Sequence, residues 1–270
     1  MNAIFKSLII ATSVLSPACF LSSCDNVDEA DRKIPVERPE IASRVLIQEF
    51  TGQWCTNCPE GAAAVHSLIE AFPDAVVAVC LHPEGTAYTR PLGDLVLTSA
   101  VATDYYNTYR PSAFPAALID GSNPENNYDI WGSLAINAMN KKAIANIECT
   151  TSFDESTRTL TVDYDLLFNE AYYSELLLNV WLTEDGIVGP QIVGARPQWD
   201  YVHNHVLRTS ATGSWGISVG DEFIPDEHYT GTLTLKIDES WNADNCNVVA
   251  FLQTPSKQVT QAYQTKAIQD

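Results

Sequence analysis

The sequence predicts an α/β region followed by an all-β region. Residues 45–72 change from an apolar, β-rich run to apolar residues at helical spacing, and from residue 147 onward apolar and polar residues alternate. The chain has 270 residues and is 46% hydrophobic, which is enough to bury a core in each region. We therefore predict domains at residues 44–146 and 147–270.

The net charge limits the classes of partner. Lys and Arg number 15 against 34 Asp and Glu, so the formal charge is −19. Binding to nucleic acid or to anionic lipid through a basic patch needs clustered positive charge. We expect neither kind of binding.

The first 23 residues predict a secretory signal peptide. The apolar stretch at 7–21 is shorter than the roughly 20 residues that a membrane-spanning helix needs. The sequence Leu-Ser-Ser-Cys at 21–24 resembles a bacterial lipoprotein cleavage box, which implies a lipid anchor on Cys24. Ordinary cleavage nearby, with a free Cys24, is the alternative.

Residues 24–43 predict an acidic tether. They hold many charges, two prolines and few apolar side chains. The acids after Cys24 resemble surface-export signals of Bacteroidota lipoproteins, and a solvated leash without that role is the alternative.

The motif Cys55-x-x-Cys58 follows a predicted strand and turn and opens a predicted helix at 60–72, with Pro59 suited to the first helical turn. Backbone N–H groups and the helix dipole stabilise a thiolate at that end. In such settings the thiol pKa falls from about 8.5 into roughly 3.5–7.5. The pattern predicts an exposed, exchanging Cys55 and a resolving Cys58.

Two other interpretations of the cysteine pair remain open. A closed zinc site needs four ligands, but the chain has one C-x-x-C motif, so we predict no metal. A purely structural disulfide between Cys55 and Cys58 is the stronger alternative.

The surrounding residues resemble the thioredoxin family. Trp54 precedes the motif, Glu49 lies six residues before Cys55, and residues 114–121 resemble the segment with a cis-proline before a strand. The resemblance implies a thioredoxin-like fold in which Glu49 takes a proton from Cys58 and Pro115 docks an extended substrate.

Residues 49–59, 181–186 and 201–208 are similar to the outer membrane protein 28 lipoproteins of Bacteroidota. The similarity covers about residues 44–265. It implies an outer membrane lipoprotein on the periplasmic or the surface side. We predict no cofactor. Oligomeric state is left open.

The remaining α/β elements are an insert and a last helix. Residues 83–114 lengthen the usual link after the strand at 75–82, and we expect a helix at 86–101 within them. The tyrosines at 105–109 favour packing over partner binding. A helix at 126–142 should cover the sheet.

The second half predicts an antiparallel sandwich of immunoglobulin-like type. Its strands are predicted at 159–166, 175–182, 231–237, 246–254 and 258–266. We interpret residues 184–204 as a long connection that is either functional or mobile. His203 and His205 would share one face of a strand, either as metal ligands or as packing residues.

Three further cysteines lie in or between the domains. Cys80, in an apolar strand, is predicted to be an inert core thiol. Cys149 and Cys246 are candidates for a structural disulfide that would close a loop of nearly 100 residues and contribute about 4–5 kcal/mol. Sequence alone does not establish that pairing.

Two functions fit these features. One is thiol–disulfide exchange on exported protein thiols or disulfides, with Cys55, Cys58, Glu49 and Pro115 as the site. The other is a non-catalytic surface binding or adhesion lipoprotein that retains the thioredoxin fold.

Overall fold

The computed structural model describes residues 41–269, so the predicted signal peptide, most of the tether and Cys24 lie outside the described residues. Within that range the helices are α1 (Cys58–Ala71), α2 (Ala100–Tyr109) and α3 (Trp131–Met139). The strands are β1 (Val45–Phe50), β2 (Val76–Leu81), β3 (Ala116–Ile119), β4 (Ala145–Asp154), β5 (Thr159–Phe168), β6 (Leu176–Glu184), β7 (Ile187–Val193), β8 (Arg196–His203), β9 (Val206–Ser210), β10 (Ile217–Gly220), β11 (His228–Lys236), β12 (Cys246–Gln253) and β13 (Val259–Lys266). None of the helices in the described range is long and apolar enough to cross a membrane.

One large sheet contains strands from both predicted regions. Its order is β13-β12-β6-β9-β2-β1-β3, with β10 paired to β6. β1 is parallel to β2 and antiparallel to β3, and β9 joins β2 at the pair Cys80–Val206. The first half therefore continues into the second through backbone hydrogen bonds, and the boundary at residue 146 stays a prediction.

Alternation along β1 and β2 sorts their side chains between two faces of the sheet. Ile47 lies in the apolar cluster with α1 and α3, whereas Leu46 and Phe50 lie in the cluster with α2. Glu49 pairs in register with Cys80, so both occupy the α1 side. The sheet thus carries polar groups towards the beginning of α1.

The second half is rich in β-structure, and its sheets are mostly antiparallel, as predicted. β4, β5 and β11 form a separate three-stranded sheet. Side chains of that sheet and of β6 and β12 share one apolar cluster, which includes Phe168, Leu182 and Leu252. β4, β5 and β11 alternate because each buries one face, whereas β6 and β12 are buried on both faces.

Two predicted elements differ from the structure. Residues 86–99 form turns rather than a helix, because Pro91 lacks an N–H group and Gly93 has a positive φ of 70°. Helix α2 begins one residue after Ser99, whose side chain accepts a hydrogen bond from the Ala102 N–H. The connection at 184–204 is instead an antiparallel hairpin of β7 and β8.

The disulfide considered between Cys149 and Cys246 is not formed. Both are free thiols, 3% and 0% exposed. They lie on β4 and β12, in different sheets, and both fill the apolar cluster between those sheets. In that position each cysteine acts as a small hydrophobic side chain.

Candidate functional site

Cys55 and Cys58 are joined by a disulfide at the beginning of α1. Asn57 is the N-cap residue and Pro59 occupies the first helical turn, where its missing N–H costs no hydrogen bond. The predicted sequence of strand, turn, C-x-x-C and helix is confirmed as local structure. The bond closes the two-residue spacer Thr56–Asn57, and both spacer residues are exposed.

The two cysteines themselves are buried. Cys55 is 1% exposed and Cys58 is 2% exposed. The expectation of a solvent-exposed Cys55 is therefore wrong for this state of the molecule. Its cause is tertiary, since two segments distant in sequence cover the pair.

The first covering segment is the β7–β8 hairpin. The Gln191 side chain donates from Nε2 to the carbonyl oxygens of Gly52 (3.2 Å) and Cys55 (3.1 Å). The Ile192 N–H donates to the Gln53 carbonyl at 2.8 Å, and Gln53 Nε2 donates to the Pro190 carbonyl at 3.0 Å. These bonds fasten the hairpin to the turn that precedes the disulfide.

The second covering segment lies in the insert after β2. The Tyr88 carbonyl accepts a hydrogen bond from the Trp54 N–H at 2.9 Å, and the Arg90 guanidinium lies 3.9 Å from the centre of the Trp54 ring. A Cβ on Gly52 would clash with the Tyr88 carbonyl oxygen. Glycine at position 52 therefore permits the insert to approach the turn.

Glu49 and Pro115 meet beside the first turn of α1. The Phe114–Pro115 peptide bond is cis. A Cβ on Gly61 would lie 2.9 Å from Glu49 Oε1 and 3.0 Å from Pro115 Cβ, so only glycine leaves room for both. Three features predicted from separate parts of the sequence are thus adjacent: the helix that carries Cys58, the acid and the proline.

A cavity of about 380 Å³ opens beside the disulfide. We call it the disulfide cavity, and its titratable and thiol-bearing lining is Glu49, Cys58, His66, Cys80, His82, Tyr201, His203 and His205. Glu49 Oε1, His82 Nδ1 and His203 Nε2 are buried without a hydrogen-bond partner. Buried polar atoms are almost always paired, so this cluster is exceptional.

Burial keeps these groups neutral. It raises the pKa of the Glu49 carboxyl from 4.5 to about 8. Burial also lowers the pKa of His82 to about 3, with smaller contributions from His203 and Arg208, and it lowers the pKa of His203 to about 4. At pH 7 the cavity therefore holds a carboxylic acid and neutral imidazoles.

Cys80 lies at the disulfide cavity rather than inside the apolar core that the sequence suggested. It has intermediate exposure, lines the disulfide cavity, and lies with its Sγ 3.9 Å from Glu49 Oε2. His82 was also overlooked as a site residue. The signal was available, because Cys80 pairs with Glu49 and His82 follows two residues later, directly after β2 ends.

His203 and His205 do not share one strand, although both line the disulfide cavity. β8 ends at His203, whose ring meets His82 at 6.3 Å between centroids. His205 has a positive φ of 57°, and its ring lies 3.3 Å from Asp185. Within residues 41–269, no three His, Cys, Asp or Glu side chains are placed to hold a metal ion.

Residues 102–270 match the family model described as outer membrane protein Omp28. Among solved structures, HBP35 of Porphyromonas gingivalis is similar with a TM-score of 0.64 and 15% identity, over 85% of this chain and 76% of that one. A protein of Agrobacterium tumefaciens is similar with a TM-score of 0.51 and 16% identity, over 86% of this chain and 98% of that one. No curated protein matches the chain. At these identities the two structures support the fold alone.

Proposed function

The chain belongs to the outer membrane protein Omp28 family, and from that premise we propose that it is an envelope lipoprotein that exchanges disulfides with exported proteins. In this proposal the region around β1, β2, β3 and α1 is thioredoxin-like and the β-rich region is a sandwich. Cys24 carries the lipid anchor at the outer membrane, on the periplasmic or the surface side.

The observation that supports exchange is the buried Glu49 beside an oxidised C-x-x-C pair, with no partner at Oε1 and only the weak Cys80 thiol donor at Oε2. A purely structural disulfide needs no neighbouring acid, and burying a poorly hydrogen-bonded carboxyl group costs several kcal/mol. Glu49 is 1% exposed and its Oε1 has no hydrogen-bond partner. Such strongly perturbed acids concentrate at functional sites, where they transfer protons.

The proposed roles follow from position. Cys55 leaves as a thiolate near the N-terminal end of α1, where unpaired N–H groups favour negative charge. Glu49 exchanges a proton with Cys58, and Pro115 aligns the backbone of an exported protein. Since the β7–β8 hairpin covers the pair, exchange with a large partner requires the hairpin to separate from Gly52 and Cys55.

A second candidate function is a non-catalytic binding or adhesion lipoprotein. The burial of Cys55 and Cys58, at 1% and 2% exposed, favours it, because a covered disulfide serves as a clasp. The exposed apolar side chains of the hairpin, Val188 at 65% and Trp199 at 64%, would then belong to a recognition surface.

Trapping distinguishes the two functions. The Cys58→Ala variant, expressed in the envelope of a Bacteroidota host, should form mixed disulfides between Cys55 and exported proteins. The bands should vanish on reduction and in the matched Cys55→Ala/Cys58→Ala variant. The Cys149→Ala variant serves as the control for non-specific capture. It loses a buried thiol far from the pair in sequence and keeps Cys55 and Cys58.

The reduction potential of the Cys55–Cys58 pair gives the complementary measurement. A value in the range of exchange proteins, from about −270 to −120 mV, would support the proposal. A value below about −300 mV together with no trapped partner would overturn it and leave the binding function.

A further inference from the structure

Of the cysteine residues that meet at the disulfide, the most exposed is not part of it. Cys55 and Cys58 are 1% and 2% exposed, whereas Cys80 has intermediate exposure. Exchange needs a thiol to approach a sulfur directly. A partner that approaches the closed molecule therefore reaches Cys80 before it reaches the pair.

Cys80 on β2 and Cys58 at the start of α1 line the same cavity. Glu49, on β1, lies between these two elements. Cys80 is in register with Glu49 on the neighbouring strand, and Cys80 Sγ donates towards Glu49 Oε2 at 3.9 Å. The other oxygen, Glu49 Oε1, lies at the first turn of α1, close to Gly61. The acid thus reaches from the free thiol to the helix that carries Cys58.

We propose that Cys80 is a third exchange thiol, which connects the buried Cys55–Cys58 disulfide with partners outside. This inference rests on the proposed function. It identifies the partner class as a dithiol on an exported protein, and it places the first contact at the cavity rather than at Cys55.

The internal step balances without an external oxidant. Cys80 gives its proton to the Glu49 carboxylate and attacks Cys58 Sγ. A Cys58–Cys80 bond forms, the Cys55–Cys58 bond breaks, and Cys55 leaves with the electron pair and takes the proton from Glu49. The protein now holds one disulfide, as before, but one of its sulfurs is the more exposed Cys80.

The external step transfers two electrons. A thiol of the exported protein attacks Cys80 Sγ, and Cys58 leaves as a thiol. The second thiol of the exported protein then attacks its own bonded sulfur, which forms the partner's disulfide and releases Cys80. The partner is oxidised and the three cysteines are left reduced.

A base is needed because Cys80 is a poor thiolate. Burial, followed by the charges of Glu49 and Asp185, raises its pKa well above the ordinary value. The carboxylate form of Glu49 increases as the pH approaches about 8. The titratable and charged groups around Cys80 are Glu49, His66, His82, Asp185, Tyr201, His203, His205 and Arg208. The internal step should therefore accelerate between pH 6 and pH 8.5.

Disulfide mapping tests the internal step. The Cys55→Ala protein is reduced, reoxidised with glutathione disulfide at pH 8.5, and digested with a glutamate-specific protease, which cuts at Glu60 and Glu70 between Cys58 and Cys80. We expect a Cys58–Cys80 cross-link as the main species, formed more slowly at pH 6 and in Cys55→Ala/Glu49→Gln. Free or separately glutathionylated Cys58 and Cys80 would overturn the proposal. Cys55→Ala/Cys149→Ser is the matched control and should still cross-link.

Exchange kinetics separate this inference from the proposed function. In the protein with Cys55 and Cys58 intact, Cys80→Ser should slow exchange with a dithiol peptide by at least about tenfold while the potential of the pair stays unchanged. Equal rates for the two proteins would overturn the role of Cys80 and leave the proposed function standing. No exchange by either protein would overturn both. Cys80→Ala should slow exchange by the same factor. An unchanged unfolding midpoint in this variant excludes a folding defect as the cause.

Discussion

The molecule buries cysteines in two very different surroundings. Between the two β-sheets, Cys149 and Cys246 lie among apolar side chains, and burial raises the pKa of each to about 12. Around the disulfide cavity, Cys58 and Cys80 lie with Glu49 and with histidine nitrogens that have no partner. The first setting makes a thiol inert, whereas the second supplies the proton acceptor that exchange requires. Cysteine chemistry here depends on neighbours rather than on burial alone.

Replacing the acid should give the largest change. The Glu49 carboxyl has a pKa of about 8 in the folded chain against 4.5 without burial, so its contribution to stability is present below pH 4.5 and is lost as the pH rises to about 8. At about 1.4 kcal/mol per pKa unit, the loss amounts to up to about 5 kcal/mol. Glu49→Gln should remove that decline in urea unfolding curves measured from pH 5 to pH 8.5. Equal pH slopes in the two proteins would contradict the buried-acid interpretation.

A change in the apolar core should affect stability but not exchange. Phe168 is 0% exposed and stacks on Phe223 at 4.3 Å, so Phe168→Ala should cost about 3–5 kcal/mol of unfolding free energy. Below the unfolding transition, reduction of the Cys55–Cys58 bond by dithiothreitol should keep its rate. Phe153→Ala, at a half-buried position on β4, should cost less. A faster reduction in folded Phe168→Ala would show that the two surroundings are coupled.

Acid should weaken the cavity side through His203. Its pKa is about 4 in the folded chain against 6.5 when unburied, so its contribution is present above pH 6.5 and is lost as the pH falls towards 4. The loss is up to about 3 kcal/mol. Between pH 7 and pH 5, the free energy of unfolding should fall less in His203→Asn than in the unmodified protein, measured by urea unfolding. His228→Asn, which changes an exposed histidine beside Asp165, is the control and should keep the acid response of His203.

The smallest effect is expected at the hairpin. Gln191→Ala removes the bonds to the carbonyls of Gly52 and Cys55, at a cost of about 1 kcal/mol. More frequent separation of the hairpin should accelerate reduction of the disulfide about fivefold, measured by thiol alkylation and mass spectrometry. Gln198→Ala, at the exposed position of β8 that pairs in register with Gln191, should leave the rate unchanged. If Gln191→Ala also leaves it unchanged, the hairpin does not control access.

Local sequence patterns are enough to predict the elements of the site. They do not predict the segments that cover the disulfide. The strand β1, the helix α1 and the cis-proline segment follow from an apolar run, helical spacing and resemblance within a few residues. The cover depends on contacts such as Gln53 with Pro190, which are 137 positions apart. No local period records which turn a distant hairpin will meet.

The helix predicted at 86–101 in the insert fails for the opposite reason, since a local sequence signal argues against it. Pro91 and Gly93 argue against a helix through 86–99, and Ser99 is a good N-cap for the helix that follows. Apolar spacing alone favoured the earlier start. The disulfide considered between Cys149 and Cys246 failed for a different reason, because strand positions do not reveal which sheet a strand joins.

The pairing of β2 with β9 has a consequence for a chain that ends early. The Cys80 N–H donates to the His205 carbonyl at 2.7 Å, so a strand of the first half completes its ladder only with a strand of the second. Ending translation near residue 146 would leave that border of β2 without its neighbour, open to pairing with foreign strands.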